Sequence, residues 1–441
     1  MSETAEVRLW GRTIGAVSLE PGERTAVFQY VPEFVPSGIQ VAPLTMPLRS
    51  EPYSFPELSY RSFKGLPGML ADSLPDRYGN ALIDAWLARQ GRDAESASAV
   101  ERLCYLGQRA GGALEYAPVR GPEPSVDEDI QVGELVALAS RILAERDGFE
   151  TTLAAGEEEA GLLEILSVGM SAGGARAKAM IAWNPVTKRV RSGQVEAGPG
   201  FEHWLLKFDG VRANRDKERF DDPEGYGAIE FAYSQMAAAA GVEMAACRLF
   251  EENGRRHFMT RRFDRPTGST KLHMQSLGAM RHFDFNQAGA YSYEQALMTI
   301  RKLGLPMAVV EQQFRRMAFN VIGRNQDDHV KNIAFLMDQA GEWSLSPAFD
   351  VTYNYRRDGE WTASHQMSLN GKRDGFELDD FVQCAEVVSM QRRRALAIVD
   401  EVAGAIADWP AHAAGAKVPE SRAVEIGDTF RLELRPGRRS R

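Results

Sequence analysis

At 441 residues the chain is long enough for two or three packed units of about 100–200 residues each. Its 44% hydrophobic and 26% charged residues are those of an ordinary globular protein, which excludes the disordered and fibrous classes. A net charge of −9 argues against a chain that coats nucleic acid with its whole surface, although five arginines over residues 431–441 make a local basic tail.

In chain order, two short alternating runs at 7–10 and 26–30, set apart by glycine-bearing turns, predict a small sheet. Residues 68–91 predict a helix from Leu70, Leu74, Leu82, Ile83 and Leu87, and this first unit closes near Gly112. A stretch rich in proline and acid at 118–129 is the expected boundary. Beyond it, strands are expected at 179–183 and 203–208, then a helix at 227–240 stopped by Gly241 and a hairpin turning on Asn253 and Gly254. From Tyr291 onward the pattern is mostly helical, at 293–303, 307–322 and 379–403, with one hairpin at 333–337 and 342–345. Strands first and helices later predict a two-lobed α+β protein with units at 1–120, 130–265 and 266–441 and a ligand cleft between lobes.

Cys104, Cys247 and Cys384 form no CxxC pair, so neither a disulfide framework nor a zinc knuckle is expected, and a reducing cytoplasm fits. The N-terminus lacks an apolar signal-peptide core, and no run approaches the roughly 18 apolar residues of a membrane span.

The chemistry concentrates at residues 324–332, Arg-Asn-Gln-Asp-Asp-His-Val-Lys-Asn. Transfer of a phosphoryl group needs an acid beside the acceptor hydroxyl, oxygen ligands for magnesium, a cation on the phosphates and backbone donors around them. Asp327 and Asn332 are five apart, the spacing of kinase catalytic loops, which prefers Asp327 over Asp328 as the acid and makes Asn332 a metal ligand. Asp350, arriving after the second hairpin, supplies another carboxylate for the metal. Lys207 stands in an otherwise apolar strand and needs an anion; Glu230 on the following helix is the expected partner. Upstream, Ser171, Gly173, Gly174, Ala175, Arg176, Ala177 and Lys178 form a small-residue segment that would let backbone amides approach phosphate, without the GxxxxGK[ST] pattern of a P-loop. His329 is expected either to brace the loop or to contact phosphate.

The order and spacing of these motifs resemble the HipA family of serine/threonine kinases, the toxins of HipA–HipB toxin–antitoxin systems. The likeness covers nearly the whole chain: residues 106–118 resemble the N-terminal subdomain, 171–178 the SxxGA[QR]xK phosphate loop, HWLLKF the strand of the ATP-binding lysine, Arg262-Phe263-Asp264-Arg265 the RFDR hinge, and DDHVKN with Phe349-Asp350 the catalytic and metal motifs. The resemblance implies a protein-kinase-like fold with a strand-rich N-lobe, a helical C-lobe and an added N-terminal subdomain. It implies ATP and Mg2+ as cofactors, Asp327 as catalytic aspartate, Asn332 and Asp350 as metal ligands, and Lys207 on the α- and β-phosphates. Gly173 to Lys178 would cover the phosphates, Arg261, Arg262 and Phe263 would meet the adenine, and His329, Val330 and Lys331 would line the same site. Ser171 matches the serine whose autophosphorylation silences the family's kinases. Partners implied are a HipB-like helix-turn-helix antitoxin, DNA only through that complex, and a protein substrate such as an aminoacyl-tRNA synthetase. Arg261 stands where some members carry an acid facing the adenine, and Asp328 where some carry glycine. A co-repressor with little kinase activity is a second reading. A lipid or small-molecule kinase is a third, disfavoured by the RFDR run and by Asn325 where aminoglycoside kinases have histidine.

Overall fold

The computed structural model of the chain describes residues 3–121, 129–144, 165–166, 176–194, 196–211, 225–267 and 270–435. Ser171, Gly173, Gly174 and Ala175, and the expected boundary at 122–128, lie outside them. The α+β architecture is as expected.

An antiparallel sheet opens the chain, with β1 Glu3–Leu9, β2 Arg12–Leu19, β3 Val27–Tyr30 and β4 Leu114–Ala117 in the order β3-β2-β1-β4. In β2 Ile14, Gly15 and Val17 are all buried, because a bulge at Ile14, between the Val7–Gly15 and Arg8–Thr13 pairs, breaks the period-two alternation. The helix expected over 68–91 is two, Gly68–Ala71 and Arg77–Arg89, because Pro75 cannot continue a helix and Asp76 caps the second one. Helix Ala99–Leu106 was not foreseen; its apolar positions are interrupted by Glu101, a buried acid held by Arg92 and Arg120.

The second sheet orders β5 Lys178–Trp183, β6 Val190–Ser192, β7 Glu202–Lys207, β8 Cys247–Glu252 and β9 Arg255–Arg261 as β6-β5-β7-β9-β8, with the Asn253-Gly254 hairpin between the last two. A third sheet joins β10 His273–Ser276 to the hairpin of β11 Ala334–Met337 and β12 Trp343–Leu345. The expected helix 379–403 breaks into Leu378–Val387 and Arg392–Ala407 around Ser389, whose φ is 60°.

One apolar core runs without a break from β1 through the helices of the first unit to β5 and β7; a second holds helices Tyr226–Ala239, Met307–Ile322 and Arg392–Ala407. Polar ties reinforce the join: Asp72 accepts from the Ser276 amide and hydroxyl, and Asp264 accepts from the Gly112 amide at 2.9 Å. Among the described residues no helix is long and apolar enough to cross a membrane.

Candidate active site

Register creates the first electrostatic demand. In the β5–β7 pair Lys178 lies directly opposite Lys207, so two ammonium groups share one face of the sheet, and each needs its own acid. Lys207 Nζ donates to Glu230 Oε1 at 2.6 Å and to Asp350 Oδ1. Burial lowers the basicity of Lys207, but Asp350 and Glu230 outweigh it and hold the side chain firmly charged; burial raises the Asp350 carboxyl, and Lys207 more than reverses that. Lys178 turns instead to the first unit and donates to Asp76 Oδ2 at 2.7 Å.

Helix Tyr226–Ala239 delivers Glu230 because two local devices seat its start. Asp209, two residues past Lys207, accepts from the amides of Gly225 and Gly227 and places a negative charge at the helix N-terminus. Gly227 lies so close to β9 that a Cβ there would stand 2.3 Å from the Arg256 carbonyl.

Helix Met307–Ile322 ends at Gly323, and Arg324, at φ 58°, turns the chain into the 325–332 loop. Asn325 pairs with Asn354, and Asn332 Nδ2 donates to the Asp327 carbonyl at 2.8 Å, drawing the loop closed over five residues. The two acids then part company. Asp327 keeps a partly exposed carboxylate whose Oδ1 accepts from the Trp361 indole at 2.7 Å and lies 3.9 Å from His329 Nε2. Asp328 is buried, accepting from Tyr293, from the Gln366 amide at 2.7 Å and bonding His365 Nδ1 at 2.7 Å. Burial pushes the Asp328 carboxyl up, yet the His365 imidazole and these donors hold it below the ordinary carboxylate range. Asp327 stays partly exposed while Asp328 anchors the loop. Asp350 adopts φ 53°, a left-handed conformation that costs a non-glycine residue of order 1–3 kcal/mol, with its carbonyl 3.4 Å from Asn325 Nδ2.

The remaining candidates divide. Arg176 stacks 3.5 Å over the Tyr226 ring, with Nη1 3.8 Å from Glu230 Oε2; Ala177 is buried beside it. His329 accepts the Lys331 amide on Nδ1, and Lys331 Nζ sits 4.7 Å over Phe285, while Val330 is core. Arg262 is buried, spending its guanidinium on Asp264 and the Gly193 carbonyl. Its amide is bonded to the His203 carbonyl, and the Arg261 amide to the Ala246 carbonyl. Neither of these backbone N–H groups is free, and the Phe263 ring lies 5.6 Å from that of Phe349. Three participants escaped the sequence: Asp76, whose place before a helix signals only a cap; Asp209; and Trp361, in a stretch without periodicity.

Comparison with known proteins follows this layout. Residues 5–117 match the family described as HipA N-terminal domain, and residues 170–409 the family described as HipA-like C-terminal domain. HipA of Shewanella oneidensis MR-1, solved with HipB and its operator DNA, superposes with a TM-score of 0.67 over 96% of this chain and 94% of that chain, at 16% identity. The Helicobacter pylori proinflammatory kinase CtkA covers 58% of this chain and 93% of that chain, with a TM-score of 0.31 and 12% identity. No curated protein sequence matches the chain. The Shewanella structure shares its fold, and with both domain families matched in order the chain belongs to the HipA family.

Proposed function

We propose that this protein is an ATP- and magnesium-dependent serine/threonine kinase acting as the toxin of a toxin–antitoxin pair in the cytoplasm, with units at 1–120, 130–265 and 266–441. The observation that carries the reading is Lys207, bonded at once to Glu230 on the helix and to Asp350 beside the Asp327–Asn332 loop. A lysine so held keeps its charge and its aim, which is what binding of α- and β-phosphates requires. The donor set fits magnesium: an amide from Asn332 and a carboxylate from Asp350 are hard oxygen ligands, and Mg2+ is ordinarily held by one or two carboxylates plus phosphate oxygens.

Bound ATP supplies the γ-phosphoryl group. Asp327 orients the acceptor hydroxyl and takes its proton as the new O–P bond forms and the bond to ADP breaks. Lys207 neutralises charge on the departing diphosphate, and Phe263 gives the base a stacking face. The acceptor is a serine of a cellular protein, by family likeness an aminoacyl-tRNA synthetase, and Ser171 is an internal acceptor whose phosphate, with about two negative charges, would repel the nucleotide. A HipB-like antitoxin is the proposed partner, carrying any contact to DNA.

Purified protein with Mg2+ and labelled ATP is expected to label itself or one lysate protein, and Asp327→Ala to lower this by about 100-fold or more. Equal labelling by Asp327→Ala refutes the assignment.

A further inference from the structure

Lys178 opens β5 only 2% exposed, and the acid that satisfies it comes from another part of the chain. Asp76 caps helix Arg77–Arg89, accepting the Gly79 amide on Oδ1 at 2.7 Å, and offers its other oxygen to Lys178 at 2.7 Å. One carboxylate therefore fixes both the helix start in the first unit and the lysine opposite Lys207. The grouping extends further: Lys331 of the catalytic loop acts electrostatically on Asp76, and Lys178 on Asp350. A helix cap needs no lysine, and a lysine serving only as packing would be replaced at no loss by an apolar side chain. The cost of burying this pair is understandable if the ammonium is to be presented, at a fixed place, to an anion entering between Lys178, Lys207 and Lys331.

We propose that Asp76 is a positioning residue of the nucleotide site, holding Lys178 where it meets the phosphates, so that the first unit completes a site otherwise built from residues beyond 170. This rests on the kinase reading and adds the phosphate side of the pocket to the duties of the first unit. Asp76→Asn keeps the cap on its one carbonyl oxygen, since asparagine caps as well as aspartate, and turns an NH2 that cannot accept toward Lys178, removing the charge and the acceptor that steady it. Binding to the full-length protein is measured for ATP with Mg2+ and for adenosine, which has no phosphates. Asp76→Asn is expected to weaken ATP by roughly tenfold, the worth of one charge-assisted bond, and to leave adenosine within about twofold. Asp76→Glu, which retains the carboxylate, is expected to recover most of the loss. Should Asp76→Asn not fold because Lys178 is left buried and unpaired, Asp76→Asn with Lys178→Met removes that charge and is expected to show the same selective loss. Unchanged ATP binding in a folded Asp76→Asn protein, or equal weakening of ATP and adenosine, overturns the proposal and leaves the pair a structural tie. A parent protein that binds adenosine but gains nothing from the phosphates overturns it too, and one that binds neither ligand removes the kinase reading beneath it.

Discussion

Two neighbouring acids in one hexapeptide carry different duties because their surroundings differ. Asp328 is ringed by Tyr293, His365 and the Gln366 amide, whereas Asp327 stays partly exposed with Trp361 Nε1 on one oxygen. The indole N–H holds that oxygen and orients the carboxylate. Trp361→Phe keeps the ring and removes the N–H; at saturating ATP it is expected to lower phosphoryl-transfer kcat about three- to tenfold, the value of about 1 kcal/mol, with the KM for ATP unmoved. A shift in the ATP KM alone would show that Trp361 serves the nucleotide rather than the acid.

At the scale of elements, helix Tyr226–Ala239 and strand β9 must nearly touch for Glu230 to reach Lys207. Gly227→Ala sets a methyl 2.3 Å from the Arg256 carbonyl and 3.0 Å from the Phe258 amide nitrogen, both backbone atoms that cannot swing aside. The helix must retreat, so the variant is expected to lose about 1–3 kcal/mol in chemical denaturation and to bind ATP more weakly. Parent-like values in both would mean the close approach is incidental. The segment after helix Glu420–Gly427 is also structural: the Arg431 amide donates to the Ile322 carbonyl at 3.0 Å, and its guanidinium reaches the Val321 carbonyl, His365 and Asp374. The first arginine of the basic tail is thus a clamp on the end of the helix that leads into the 325–332 loop, not a solvated charge.

Across the whole molecule, acid sensitivity follows from imidazoles that the fold keeps neutral. Burial pushes His257 and His273 down to about 4. In the unfolded chain both take up protons below about pH 6.5. The unfolded state therefore binds more protons than the folded one between pH 6.5 and 4, and stability falls as pH falls through that window, by up to about 1.4 kcal/mol per pH unit for each histidine. His257 Nδ1 accepts the Asp209 amide at 2.9 Å, so its protonation also strikes the residue that seats the Glu230 helix. Denaturation midpoints measured from pH 7 to 4 are expected to drop steadily; a flat profile would contradict this account.

The local part of the protein was legible in the sequence. Short apolar runs marked β5 and β7, the Asn-Gly pair marked the hairpin and three-to-four spacing marked helix Met307–Ile322, since those signals are local to the backbone. The lysine stranded in an apolar strand announced its need for an acid, which Glu230 meets, and the five-residue interval from Asp327 to Asn332 is closed by the bond from the Asn332 amide to the Asp327 carbonyl. Breaks such as those at Pro75 and Ser389 were passed over, the apolar spacing continuing across them. What tertiary structure alone decided are meetings across long intervals: Asp76 with Lys178, Trp361 with Asp327, Asp328 with His365. No periodicity encodes these, for a side chain's partner far along the chain is chosen by how sheets and helices pack. The same packing commits the Arg262 guanidinium to Asp264 and the Gly193 carbonyl, partners that lie two and 69 residues away.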